Sequence, residues 1–240
     1  MTTPIIQAGP AQSSRDAHGP RLIITIDGPA GAGKSTVARQ LARRLKYLYL
    51  DTGALYRAVA WKVREAGLAP TDSQAIADLL KATRLTMNQD PERPRVSVDA
   101  RDVTEEIRAP EISRLASQVS AIPAVREWLL PVQRQIGRAG NVVAEGRDLG
   151  TRVFPEAGVK FFLEADTKVR AGRRQRELTA AGRAAPLEDT RRELEARDRQ
   201  DRTRQLAPLV AAPDATVIDS SAMEVEQVIE RMLAVVAAKL

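Results

Sequence analysis

The chain has 240 residues, 43% hydrophobic and 28% charged, a balance that suits a globular protein with one sizeable buried core. It contains no cysteine, which excludes disulfides, thiolate zinc sites and a cysteine nucleophile. Net charge is +6, and between Lys168 and Arg204 stand 12 basic and 7 acidic residues, so nearly all of the surplus lies in one segment.

Residues 1–20 (MTTPIIQAGPAQSSRDAHGP) are rich in Pro, Gly, Ser and Gln without periodicity and read as a disordered tail, which also holds the only histidine, His18. From Arg21 onward, short apolar strands alternate with helices. RLIITID is a buried strand, followed by a helix from Gly33 to about Lys46, a short strand at 47–50 and a helix through ALYRAVAWKVREAG. A further helix is expected at 72–82. RLTMNQ and RVSVDARDV then look like short strands around a DPERP turn, inside a β-rich insert of about 80–118 that ends in a helix. Pro123 suits the first turn of a helix running to Arg138. NVVAEG (141–146) and VKFFLEA (159–165) are buried strands, and two charged helices follow at about 167–181 and 186–205. ATVID (215–219) is the last strand, before a closing amphipathic helix. The pattern is α/β, with a mainly parallel sheet of about five strands covered on both faces. No stretch reads as a membrane span or a secretory signal, so a cytoplasmic location is expected.

GPAGAGKST, comprising Gly28, Pro29, Ala30, Gly31, Ala32, Gly33, Lys34, Ser35 and Thr36, contains G-x-x-x-x-G-K-[ST] between a strand and a helix. Its glycines let successive N–H groups point inward, and the helix adds its positive end. Lys34 is expected against the β- and γ-phosphates of a nucleoside triphosphate, with Ser35 offering its hydroxyl to Mg²⁺. No N-K-x-D is present, as a GTPase would need, and the strand VVAEGRD does not end in the Asp-Glu of a motor ATPase. A separate phosphoryl acceptor is therefore expected.

Arginines cluster where such an acceptor would sit. Tyr56 and Arg57 follow a strand end in DTGALYR, SQVSAIPAVR is a second cluster, and Arg147 and Asp148 occupy the loop after a sheet strand, where ligands of open α/β sheets bind. Arg197, Asp201 and Arg204 fall at i, i+4 and i+7 on one helical face, and Arg170, Arg173 and Arg174 repeat the theme on the preceding helix. Guanidinium forks suit the oxygens of a phosphoryl group in flight. Arg191 and Arg192 are instead expected to pair with acids on a solvated face.

IDGPAGAGKST, DTGALYR, EIRAPEISRLASQVSAIPAVR, EGRDLGTRVFPEA and RDRQDRTR followed by APL together resemble, in order, the blocks of the bacterial cytidylate kinases, a nucleoside monophosphate kinase family of P-loop NTPase fold. The resemblance covers about 21–236. It implies a three-layer kinase domain over 21–240, with a core of 21–79 and 119–240, a monophosphate-binding insert of about 80–118 and a mobile lid of about 167–185. It also implies transfer of the ATP γ-phosphate to CMP or dCMP with Mg²⁺. By the same resemblance Thr52, Arg57, Arg147 and Arg204 contact the acceptor phosphate, with Tyr56 beside them. Ser117, Arg126 and Asp148 read the cytosine edge, Arg197 and Asp201 hold the sugar, and Arg170, Arg173 and Arg174 belong to the lid over ATP. The residues expected to carry the chemistry are Lys34, Arg147, Arg204, Arg170 and Arg174. Thr52 stands where family members carry Ser, keeping the hydroxyl. Glu145 stands where some carry Asp, and either it or Asp27 is a candidate for the metal's water shell. The family implies a monomer.

Base choice has its own physical logic. Cytosine presents an amine donor beside acceptors at N3 and O2, and uracil reverses the pattern at position 4 and N3. An acid such as Asp148 favours the amine, while an arginine such as Arg126 can donate to the acceptors. Two rivals are set against this reading. One is another small-molecule P-loop kinase acting on UMP, AMP or GMP. The other is a nucleic-acid-dependent ATPase using the basic helices, which the 3% aromatic content disfavours.

Overall fold

The computed structural model describes residues 21–88, 94–138 and 140–239. In chain order the elements are β1 (Ile23–Asp27), α1 (Lys34–Leu45), β2 (Leu48–Asp51), α2 (Thr52–Glu65), α3 (Ser73–Lys81) and β3 (Leu85–Met87). Then come β4 (Val96–Val98), β5 (Arg101–Asp102), α4 (Pro110–Val119), α5 (Pro123–Gly137), β6 (Val142–Gly146) and β7 (Val159–Glu164). The chain closes with α6 (Thr167–Ala180), α7 (Leu187–Thr203), β8 (Thr216–Asp219) and α8 (Val225–Ala237). The tail at 1–20 and most of the DPERP turn lie outside the described residues. No described helix is long and apolar enough to cross a membrane.

The larger sheet has five strands in the order β2-β6-β1-β7-β8. β1 runs parallel to β7, with Ile24 opposite Val159 and Asp27 opposite Phe162, and β7 runs parallel to β8. Strands buried on both faces need apolar side chains in both directions, which is why IITID and VKFFLE read as nearly unbroken apolar runs. By backbone contacts the chain divides into two units, one of them 22–47 with 143–240. In that unit α1 packs on α8 and β1, and α6 packs along α7. This is an α/β fold with a glycine-rich loop between its first strand and first helix, the fold class expected for a P-loop kinase.

The other unit comprises, among the described residues, Arg21 and 48–142. Here α2 packs on α4, α5 and β4, and β3-β4-β5 form a small antiparallel sheet. The stretch RVSVDARDV, expected as strand, turns back on itself at Asp99 and Ala100, both with positive φ (50° and 68°). A turn of this hand normally takes Asn-Gly, so no local signal marks it. Two contacts hold it instead: the Asp99 carboxylate accepts from the Arg84 N–H at 2.7 Å and pairs with Lys62 at 2.8 Å.

Candidate active site

The phosphate loop is shaped by close packing. Gly28 has φ 149°, and a Cβ there would overlap the carbonyl oxygen of Leu163 on β7. Gly33, with φ 91°, is the N-cap of α1 and has no side chain to offer the first-turn N–H groups, and that turn carries no acidic residue. The positive end of α1 is thus left without a protein anion of its own turn.

Lys34 is buried and donates to the Pro29 carbonyl oxygen at 2.6 Å. Burial, and next the charge of Arg147, lower its pKa to about 7 against the opposing pull of Glu145, Asp27 and Asp201. The Ser35 hydroxyl donates to Glu145 Oε2 at 2.9 Å. Asp27, at the end of β1, accepts from the Leu149 and Gly150 N–H groups at 2.9 and 2.8 Å. Burial raises its pKa to about 6 despite those two hydrogen bonds. A hydroxyl beside a carboxylate is a hard-oxygen donor set that suits Mg²⁺. Among the described residues no group of three or more acids or histidines could hold a metal alone, so phosphate oxygens and water would complete its shell.

Around Asp201 in the same unit, three predicted acceptor residues meet. Arg147 Nε donates to Asp201 Oδ2 at 3.1 Å, and Arg204 donates to Asp201 Oδ1 at 3.0 Å. Arg204 NH2 lies 3.7 Å from Asp148 Oδ1, and its Nε donates to the Ala207 carbonyl oxygen at 2.6 Å. Two guanidiniums are thereby held side by side with fixed forks. The expected i, i+4, i+7 face is only partly helical: α7 stops at Thr203 and Arg204 is extended at ψ 140°. That exit turns Arg204 back toward Asp201 and Asp148. Desolvation, then the nearby charge of Arg147, hold the Arg197 guanidinium below its ordinary pKa.

The unit of 48–142 assembles the remaining predicted residues. Asp51 caps α2 by accepting from the Ala54 N–H at 2.9 Å, and its other oxygen pairs with Arg57 at 2.8 Å. Thr52 begins that helix, buried. Arg126, buried, lies over the Tyr56 ring at 5.3 Å and donates to the Ser120 carbonyl oxygen at 3.1 Å. The Ser120 hydroxyl in turn donates to the Ser117 carbonyl oxygen at 2.8 Å.

The three α6 arginines expected in a lid each have a partner within their own unit. Arg170 is only 4% exposed and pairs with Asp198 at 2.6 Å. Arg173 holds Ser220 through its carbonyl and hydroxyl oxygens at 2.7 and 3.1 Å, while Arg174 pairs with Glu177 at 3.0 Å. On α7, Arg191 pairs with Glu188 and Glu195, and Arg192 with Glu188, as expected of a solvated face. Sequence reasoning passed over Asp51, Asp198 and Ser220. Asp51 was legible as a cap before a helix. Asp198 sits one position round the helix from Arg197, and only the fold shows what it faces.

A family model described as cytidylate kinase matches residues 24–238. A cytidylate kinase of Syntrophotalea carbinolica is 49% identical over 217 residues, covering 90% of this chain and 92% of that protein. A bifunctional pantoate ligase/cytidylate kinase of Synechococcus sp. (strain JA-3-3Ab) is 48% identical over 221 residues, and a second from strain JA-2-3B'a(2-13) is 44% identical over 229. The chain spans only 41% and 42% of the length of those two relatives. Among solved structures, an uncharacterized protein from Eubacterium ventriosum ATCC 27560 superposes with a TM-score of 0.51 at 12% identity, covering 90% of this chain and 99% of that one. At that identity the likeness concerns the fold alone.

Proposed function

The chain belongs to the cytidylate kinase family, and from that premise we propose that it transfers the γ-phosphate of ATP to CMP or dCMP, giving ADP and CDP or dCDP. One observation carries the reading. Arg147 and Arg204 are held by the same Asp201 carboxylate, in the unit that also carries the buried Lys34, so the cations assigned to the acceptor phosphate are set side by side. Cations crowded in this way are stabilised by an anion between them, and a phosphoryl group in flight is that anion.

In the proposed reaction a 5′-phosphate oxygen of CMP forms a bond to the γ-phosphorus as the bond from that phosphorus to the β,γ-bridging oxygen breaks. A phosphate monoester has a second pKa near 6, so at neutral pH the attacking oxygen is already largely deprotonated and no strong base is needed. Lys34 and the N–H groups of residues 31–36 hold the donor. Ser35, with Glu145 or Asp27 through water, would hold Mg²⁺, which would supply charge neutralisation for the donor phosphates. Thr52, Tyr56, Arg57, Arg147 and Arg204 hold the acceptor phosphate, Ser117, Arg126 and Asp148 read cytosine, and Arg197 and Asp201 hold the sugar. Residues 80–118 serve as the monophosphate-binding insert, and 167–185, with Arg173 and Arg174, as the lid. A cytoplasmic monomer completes the proposal.

The nucleic-acid reading is not favoured. Arg174, Arg191 and Arg192, which it would need as an open cationic surface, are matched by Glu177, Glu188 and Glu195 on the same helices. The deciding experiment is a coupled assay of ADP release with ATP and Mg²⁺ against CMP, dCMP, UMP, AMP and GMP. Strong turnover with CMP and dCMP is expected. Turnover with another monophosphate only, or release stimulated by RNA or DNA alone, overturns the proposal.

A further inference from the structure

A glycine-rich loop is a costly thing to order, because glycine loses more conformational freedom than any other residue. One member of this loop is nevertheless gripped at both its backbone polar groups. The Ala30 N–H donates to Asp198 Oδ1 at 3.3 Å, and the Ala30 carbonyl oxygen accepts from Arg170 NH1 at 2.9 Å. The same NH1 lies 2.6 Å from Asp198 Oδ2, with both side chains almost fully buried. Arg170 is itself fixed from behind: its Nε donates to the Ala165 carbonyl oxygen at 2.9 Å and its NH2 to the Thr167 hydroxyl at 2.8 Å. The methyl group of Ala30 is packed with Ala171 and Leu194, and a Cβ on Gly31 would stand 3.2 Å from that of Arg170.

A buried ion pair is weak support for stability, since a matched apolar pair does as well or better. This one closes a ring through the loop backbone, which an apolar pair cannot do. We propose that Arg170 and Asp198 are positioning residues for the phosphate donor: together they fix the peptide groups flanking Ala30, so that the loop is set in its phosphate-binding shape before ATP arrives. Neither touches the reacting atoms. One member stands on the first turn of α6 and the other on α7, so the start of this helical hairpin is tied to the loop, and any lid movement must lie beyond Arg170. The inference rests on the reading of the loop as the ATP cradle and does not depend on which monophosphate is the acceptor.

The test replaces the pair by Arg170→Met with Asp198→Leu, which leaves no buried charge unpaired. ATP binding is measured by titration calorimetry without acceptor, alongside binding of CMP and the melting temperature. ATP affinity is expected to fall about tenfold, the worth of one to two hydrogen bonds, with CMP affinity within about twofold. Asp198→Asn keeps an acceptor for Ala30 and is expected to restore most of the ATP affinity. In the unaltered, nucleotide-free protein, the Ala30 amide is expected to exchange slowly with deuterated solvent. A folded double variant with wild-type ATP affinity overturns the inference, as do equal losses for ATP and CMP. If the double variant does not fold, Ala30 exchange at the rate of an open loop overturns it and protected exchange supports it. Absence of CMP turnover in the unaltered protein would instead strike the acceptor reading and leave this test intact.

Discussion

Helix α7 carries two kinds of charge along one axis. In its first half, Arg191 and Arg192 pair with Glu188 and Glu195, all in contact with water. In its second half the acids are Asp198 and Asp201, both buried, and they hold Arg170, Arg147 and, just past the helix end, Arg204. The residue types are nearly the same, but the physics differs. A long exposed Glu–Arg pair is screened by water and salt and settles into no single geometry. A short, largely buried Asp has few rotamers and little competing solvent, so it restricts where its guanidiniums point. Net charge on a helix therefore says little about what its arginines do; the length of the partner acid and its burial say more.

That contrast can be broken or sharpened by substitution. The largest effect is expected at Lys34, on which the buried charges converge: Lys34→Ala should cut phosphoryl transfer by about 10³-fold while the protein still melts cooperatively, and near-normal turnover would refute the cradle. Next comes Asp201→Ala, which leaves Arg147 and Arg204 without their shared carboxylate. It should cost about 10²-fold in kcat and roughly 3 kcal/mol in denaturant unfolding. Asp148→Ala should lower kcat/KM for CMP about tenfold more than for UMP, the worth of one buried hydrogen bond, and equal losses would sink its base-reading role. The smallest effect belongs to the exposed half. Arg191→Ala should keep kcat unchanged and Tm within about 2 °C, and a loss like that at Asp201 would erase the distinction between the halves.

The local features of this molecule were legible in its residues. GPAGAGKST announces its loop because the glycines, the lysine and the flanking apolar strand lie within one short stretch, and the parallel sheet follows from its unbroken apolar runs. What was not legible depends on distant partners. Ala100 takes a left-handed conformation with no glycine to mark it, held by Asp99 through Lys62 and Arg84. Arg204 leaves the helical face its spacing suggests because α7 ends at Thr203. Arg170 looks from its spacing like its neighbours Arg173 and Arg174, and only the fold brings Asp198 and the Ala30 backbone to it. Spacing tells which residues share a face, and not what that face will meet.

The order of strands has a consequence for how the chain comes off the ribosome. β1 lies between β6 and β7, and both are translated after the whole of 48–141. At about 5–20 residues per second the apolar IITID strand and the loop behind it spend several seconds without sheet neighbours, while the contiguous segment 48–142 is completed. Ile24 must then find Val159, a pairing of long sequence separation and hence of slow closure. The glycine-rich loop and the strand before it are therefore made well before both of that strand's sheet neighbours, and in that interval their apolar side chains lack the cover the finished sheet gives them.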